Sequence, residues 1–444
     1  MAVRTFRWAV AGIAMGLMVG ACETDELAGG SGTIPKSPAP PGSGSGSGSS
    51  HSGSTPAFSF KSSGDAKFDT WRKSFASKAD GAGRKKSSII AVLDGLTPID
   101  QTVQAAAFDN QAEFVKPIWD YAKSAVSPTR ITSGQAKLAD NQAIFDSIEQ
   151  SYATPREIVA AIWGMETSYG AFIGDIDAPR ALATQASLGY RKDFNESELM
   201  AVMQLIENGS ATRDQFRKGS WAGAVGQTQF MPSTFLAHGR DFDKDGKKDL
   251  WTNPGDALAS AANYLTVSGW RKGEPWAVET TIPENFDYSV GDGRKLTVAA
   301  WKTLGLQPAT AAQFASSDAL EAELFLPAGS HGPTFLLFPN FSVVKTYNNA
   351  DSYALAVGLL ADRLAGGPDL SRPWPTDIVM LTQQQAKDLQ TALNKLDYNA
   401  GAIDGIIGRG TRKALQGFQK DKGLVADGFP TTDMLDKVVA AANS

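Results

Sequence analysis

The first residue whose surroundings could do chemistry is Glu166, in the stretch Ala160-Ala161-Ile162-Trp163-Gly164-Met165-Glu166-Thr167-Ser168-Tyr169-Gly170. Upstream, Thr154-Pro155-Arg156-Glu157 has the form of a capping box with proline at the first helical position, and Gly170 supplies a stop, so a helix is predicted between them. Ile158, Ile162, Met165 and Tyr169 share one face of that helix, with Val159, Trp163 and Glu166 alongside, which puts Glu166 on the apolar side. A carboxyl pressed against Trp163 and Met165, near the negative end of the helix dipole, is held protonated by desolvation first and by the dipole second. That is the condition of a general acid working near neutral pH. The spacing alone equally admits a glutamate that reaches solvent or pairs with an arginine.

A second cluster lies at Asp241-Phe242-Asp243-Lys244-Asp245-Gly246-Lys247-Lys248-Asp249, which reproduces the first, third, fifth, sixth and ninth positions of an EF-hand loop. Lys247 stands where such a loop offers a main-chain carbonyl, but the closing position holds Thr252 in place of a bidentate glutamate. The candidate ligands are Asp241, Asp243, Asp245, Lys247 and, further on, Asp256. The alternative is an Asp-rich surface turn. Ser342-Val343-Val344-Lys345 fits the S-x-x-K pattern of acylating enzymes, yet neither S-D-N nor K-T-G occurs in the chain, so that match is set aside.

Composition excludes other chemistry. Cys22 is the single cysteine of 444 residues, which rules out a disulfide framework, a cysteine-ligated zinc and a two-thiol redox motif. The three histidines, His51, His238 and His331, have no ligand spacing. A formal net charge of -5 argues against nucleic acid, whose binding rests on clustered Lys and Arg. A hydrophobic content of 42% is enough for a sizeable core.

The elements that must position these residues begin after a leader. Arg4 and Arg7 precede an apolar run from Trp8 to Gly20, too short for a bilayer, which takes about 20 residues. Its end, Val19-Gly20-Ala21-Cys22, resembles the bacterial lipobox, at which the cysteine is lipidated and becomes the first residue. Residues 23–57 are dominated by Gly, Ser and Pro and are expected to be a disordered tether with a root-mean-square reach of about 30 to 35 Å. Residues 58–365 read as a mainly helical body, with short proline-punctuated runs at 324–327 and 335–339 that suggest strands. A Gly/Pro-rich linker is expected at 366–381, followed by a module at 382–442 with amphipathic helices over 383–395 and 411–422.

Two segments carry a family resemblance: 160–170, quoted above, and Gly219-Ser220-Trp221-Ala222-Gly223-Ala224-Val225-Gly226-Gln227-Thr228-Gln229-Phe230-Met231-Pro232-Ser233. In order and separation they resemble the membrane-bound lytic murein transglycosylase B family. The resemblance implies a mainly α fold, an α+β lysozyme-like body with a small β segment. It also implies cleavage of the β-1,4 bond between N-acetylmuramic acid and N-acetylglucosamine in peptidoglycan. One glutamate, here Glu166, would act first as acid and then as base while the muramyl C6 hydroxyl attacks C1, giving 1,6-anhydromuramyl ends without water or a catalytic cofactor. By motif position, Ser220 and Gln229 would hydrogen-bond the sugar or orient Glu166, Tyr264 would line the cleft, Tyr347 and Tyr353 would meet the substrate as a tyrosine pair, and Asp256 would close a variant loop holding structural Ca²⁺.

The run from Leu389 through Tyr398, Asp404-Gly405, Thr411, Phe418-Gln419 and Asp427-Gly428 resembles a small three-helix peptidoglycan-binding domain. Together these features imply a periplasmic, lipid-anchored enzyme, in the outer membrane's inner leaflet of a Gram-negative bacterium, because Glu23 is not the aspartate of inner-membrane retention. Two other readings stay open: a hydrolytic muramidase using Asp175 or Asp177 as second carboxylate, and a catalytically silent wall-binding lipoprotein.

Overall fold

The computed structural model describes residues 58–100, 111–291, 293–310 and 318–444. The leader, Cys22 and the tether lie outside the described residues.

Apolar residues recurring three and four apart drive the helices of the large body into two cores. One gathers Phe145, Ile148, Ile162, Trp163, Leu258, Leu265, Tyr353 and Leu360; the other gathers Phe68, Phe75, Leu182, Leu199, Phe216, Phe230 and Phe235. Each such side chain, fully buried, contributes about 1.5 to 3 kcal/mol of transfer free energy. Tyr347 packs against both cores, and so marks their seam.

The helix Arg156–Thr167 is buried from Ile158 onward, packed on the helix Asp351–Leu364. Its start differs from expectation. Pro155 occupies the cap position, and no side-chain cap bond forms. The Thr154 hydroxyl instead lies 3.5 Å from the Tyr152 carbonyl and from the Thr266 hydroxyl, while Arg156 pairs with Asp146 and Glu149. The helix also stops before Gly170: Ser168, Tyr169 and Gly170 all have positive φ, at 51°, 62° and 79°. Three consecutive left-handed residues, two of them not glycine, are costly backbone. Tyr169 is tied down by its hydroxyl, which donates to the Arg130 carbonyl at 2.9 Å, and by an edge-on contact with Trp163.

The described residues contain five strands, β1 Ala277–Thr281, β2 Lys295–Thr297, β3 Gln307–Pro308, β4 Glu321–Phe325 and β5 Thr334–Leu337, of which β4 and β5 are those expected from the proline-punctuated runs. They form one antiparallel sheet in the order β2-β4-β5-β1-β3, with Ala277 opposite Leu337 and Leu324 opposite Leu336. One face covers a third core around Val278, Trp301, Leu336 and Phe338. The C-terminal helices Gln383–Lys395, Arg409–Asp421 and Thr432–Ala442 enclose Leu389, Leu393, Leu415, Phe418 and Val438. This module docks on the body through Phe429 against Trp119 and Ala328, and through Asp427, which accepts from the Ser330 amide and hydroxyl at 2.8 and 2.7 Å.

Gly358 is where two elements approach too closely for a side chain: a β-carbon there would run into the Trp276 indole. The Gly358→Ala variant gains about 1 kcal/mol of helix propensity but loses about 1 to 3 kcal/mol to overpacking. It is therefore expected to melt lower than the parent. An unchanged or raised midpoint in thermal denaturation would show that the indole is free to move.

Candidate active site

Glu166 sits in the last turn of its helix, 5% exposed, on the wall of a cleft of about 550 Å³ that follows the seam between the two cores. Desolvation pushes its carboxyl up to about 8, the negative charge of Glu113 pushes the same way, and a hydrogen bond from Tyr353 opposes both. The Tyr353 hydroxyl, itself held far above its usual range by burial, keeps its proton and donates to Glu166 Oε1 at 2.5 Å. Glu166 Oε2 has no partner among the described residues. The acid's own proton therefore belongs on Oε2, the oxygen left for a substrate.

The sequence around Glu166 fixes the opposite wall. Trp163 Nε1 donates to Gln227 Oε1 at 3.1 Å and the Thr167 hydroxyl to the Gln227 carbonyl at 2.6 Å, so the acid's helix is stitched to the segment 219–230. In that segment Gln229 adopts a left-handed φ of 49° and lines the cleft. Its Nε2 faces two carbonyls, Gly226 at 2.9 Å and Ile173 at 3.3 Å, which fixes the amide's orientation and leaves Oε1 buried without a donor. A substrate N–H or O–H would satisfy it. Phe230, Tyr264 and Tyr347 form an aromatic wall, with ring centroids 5.4 to 5.8 Å apart, that can lie against sugar faces. The Tyr264 hydroxyl donates to the Thr346 carbonyl at 3.1 Å, which holds that ring in place.

The structure thus brings Glu166, Gln229, Tyr264 and Tyr347 to one cleft. Two other expected substrate residues stand elsewhere. Tyr353 is fully buried and reaches the carboxylate from behind, so it positions Glu166 and does not face a sugar. Ser220 is 1% exposed, and its hydroxyl accepts from the Ala224 amide at 2.9 Å, closing the turn that leads to Gln229 without lining the cleft. Sequence reasoning missed Arg191, Phe194 and Asn349, which also line the cleft, and the buried Glu113, whose Oε1 accepts from Asn348 at 3.2 Å. None has a spacing that would single it out.

Glu166 is the only carboxylate among the described cleft-lining residues. Asp177 caps the helix Ala178–Leu188 and holds Arg213 through both oxygens at 2.9 and 2.7 Å, while Asp175 is exposed away from the lining. Among the described residues the two-carboxylate arrangement of hydrolytic glycosidases is therefore not built around this cleft. Ser342 and Lys345 do line the cleft, but the lysine amine is paired with Asp351 at 2.7 Å.

In the Asp-rich loop, Asp241, Asp243 and Asp256 can place carboxylate oxygens within 4.8 Å of one another. Asp256 is fully buried; burial pushes its carboxyl up, the Phe242 and Asp249 amides that donate to its two oxygens at 2.7 Å each oppose this, and the neighbouring charges of Asp243 and Asp241 add to the push. Such mutual repulsion is what a hard cation relieves, so these three residues fit one. Asp245 falls outside the group: its Oδ1 accepts from the Lys247 amide at 2.8 Å within the turn. Among the described residues no helix is long and apolar enough to cross a membrane.

The comparisons with known proteins agree with this geometry. The Transglycosylase SLT domain profile matches residues 67–362, and a peptidoglycan binding domain profile matches residues 382–438. Membrane-bound lytic murein transglycosylase B of Escherichia coli is 31% identical over 253 residues, which is 55% of this chain and 66% of that protein's length. SltB3 from Pseudomonas aeruginosa, solved with NAG-anhNAM-pentapeptide, is 40% identical with a TM-score of 0.78, covering 84% of this chain and all of that one. The Escherichia coli lytic transglycosylase Slt35 in complex with calcium is 27% identical with a TM-score of 0.55, covering 66% of this chain and 92% of that one. The chain belongs to the lytic transglycosylase family defined by the SLT domain.

Proposed function

We propose that this protein cleaves peptidoglycan strands without water at the β-1,4 bond between N-acetylmuramic acid and N-acetylglucosamine. The observation that supports the reading is a single carboxyl among the described cleft-lining residues, Glu166, with one oxygen held by Tyr353 and the other buried without a partner. Glu166 Oε2–H gives its proton to the glycosidic oxygen as the C1–O bond breaks. The carboxylate so formed then takes the proton of the muramyl C6 hydroxyl as that oxygen bonds to C1, which closes the 1,6-anhydro ring and returns the acid to its starting state. An intramolecular nucleophile needs no second carboxylate. Gln229 Oε1 and the rings of Tyr264 and Tyr347 hold the sugars in register.

The body at 58–365, the linker at 366–381 and the module at 382–442 would act as a catalytic unit and a wall-binding unit, the second raising the local concentration of strands for the first. SltB3 was solved with peptidoglycan fragments, which supports the same substrate class here. Lipidation of Cys22 in the outer membrane's inner leaflet, with residues 23–57 as tether, would set the periplasmic reach of the enzyme. The calcium complex of Slt35 supports a structural ion held by Asp241, Asp243 and Asp256.

Mass spectrometry of digested sacculi is expected to find 1,6-anhydromuramyl ends, and the Glu166→Gln variant is expected to lose about 10² to 10⁴-fold in rate while still sedimenting with sacculi. Reducing ends, or an active Gln variant, would refute the mechanism. Tyr353→Phe removes the bond that favours the carboxylate, so the carboxyl should titrate above its present value of about 8. The alkaline limb of the pH–rate profile, which follows loss of the acid's proton, is then expected to move to higher pH, with a lower maximal rate from the loosened acid; a shift to lower pH would contradict the assigned bond. Added Ca²⁺ is expected to raise the melting temperature over that in chelator, and Asp256→Asn to abolish the difference.

A further inference from the structure

Glu113 lies outside the cleft lining, 6% exposed, on the short helix Ala112–Val115. Two of its atoms reach the turn that opens the helix Asp351–Leu364. Its Oε1 accepts from Asn348 Nδ2 at 3.2 Å, and its main-chain carbonyl accepts from the Ser352 hydroxyl at 2.7 Å. Asn348 spends its own Oδ1 on the Ala350 amide at 3.1 Å, so the side chain that Glu113 holds also closes the turn. Asn348 and Ser352 are themselves buried, and the residue after Ser352 is Tyr353, whose hydroxyl donates to Glu166 Oε1. Hydrogen bonds on both sides of residues 349–351 therefore fix where the turn that carries Tyr353 begins.

The carboxylate also acts through space. Its charge pushes the carboxyl of Glu166 and the phenol of Tyr121 upward, so both lie within reach of its field. Two carboxyls that share a low-dielectric interior do not both ionise cheaply, and the first to lose its proton makes the second hold on. The Asn348 amide favours the charged form of Glu113, and Glu166, pushed up to about 8, is the one that keeps its proton. Among the neighbouring groups, burial holds the phenols of Tyr121, Tyr347 and Tyr353 above their usual range, so they stay neutral as Glu166 titrates. Arg191, Tyr264 and Lys345 share the cleft lining, the lysine paired with Asp351.

We propose that Glu113 is a positioning residue for the cleavage reaction, holding through its side chain and its carbonyl the turn that delivers Tyr353, and placing a fixed negative charge near the acid from outside the cleft. The proposal rests on the reading of Glu166 as the acid. A clamp alone needs only the acceptor atoms, and glutamine at position 113 would serve it equally. The charge role does not survive that exchange.

Glu113→Gln keeps an Oε1 for Asn348 and the carbonyl for Ser352 but removes the charge. Glu166 then gives up its proton more readily, so its pKa falls. The alkaline limb of the pH–rate profile is expected to move to lower pH by about 0.3 to 1 pH unit, which is about two- to tenfold in rate at a fixed pH on that limb. This direction is opposite to that expected of Tyr353→Phe, so general loosening of the site does not produce both. A limb that stays in place or moves up would overturn the charge role. Ser352→Ala keeps the charge and removes the bond to the carbonyl; its maximal rate is expected to fall about two- to tenfold with the limb unmoved, and an unchanged maximal rate would overturn the clamp. Should the Gln variant not fold, ¹³C titration of the parent protein decides: a Glu113 carboxyl ionised at pH 7 supports the proposal and a protonated one overturns it. Any of these failures in a protein that still forms anhydro ends leaves the cleavage reading intact, whereas an active Glu166→Gln variant would remove both.

Discussion

The structure turns on the desolvation of one carboxyl. Glu166 lies on a helix whose inner residues are buried, and its charge has one hydrogen bond from Tyr353 to offset the loss of water. Burying an ionised carboxylate with so little compensation is expensive, so the group keeps its proton to about pH 8. The rest of the site maintains that condition. The helix Asp351–Leu364 brings Tyr353 up from behind, the bonds from Trp163 and Thr167 to Gln227 hold the far wall at a fixed distance, and the left-handed run at 168–170 turns the chain sharply just after the acid. A more open wall would hydrate the carboxyl and return its pKa toward the ordinary range.

The cleft also explains how one acid can suffice. Its lining offers a proton donor, an orphaned amide oxygen on Gln229 and aromatic faces, and no second carboxylate among the described residues. Asp177, near enough in sequence to be considered, is consumed by Arg213 and by capping its own helix. The nucleophile then has to come from the substrate, which is the chemistry that distinguishes a transglycosylase from a hydrolase of similar architecture.

Much of this was legible in the sequence, for a physical reason: the three-and-four spacing that buries a helix face also tells which polar residue is buried with it, and that residue was Glu166. The strands at 321–325 and 334–337 and the C-terminal helices were readable from the same patterning. The errors fall where a side chain's partner lies far away in the chain. Tyr353 looks like a sugar-binding tyrosine by motif, yet its hydroxyl is spent on a carboxyl 187 positions earlier. Thr154 has the form of a cap, but its hydroxyl turns toward Thr266, 112 positions on. Ser220 belongs to a motif that shapes the loop, and motif position does not distinguish holding a loop from holding a ligand.

The claim that everything else depends on is that Glu166 is protonated in the resting protein at neutral pH. It can be read directly by ¹³C NMR titration of protein labelled at the glutamate side-chain carboxyls, with Glu166→Gln to assign the signal. The resonance is expected to titrate near pH 8, well clear of the surface glutamates. A Glu166 signal that titrates with the others near the ordinary value of about 4.3 would contradict it.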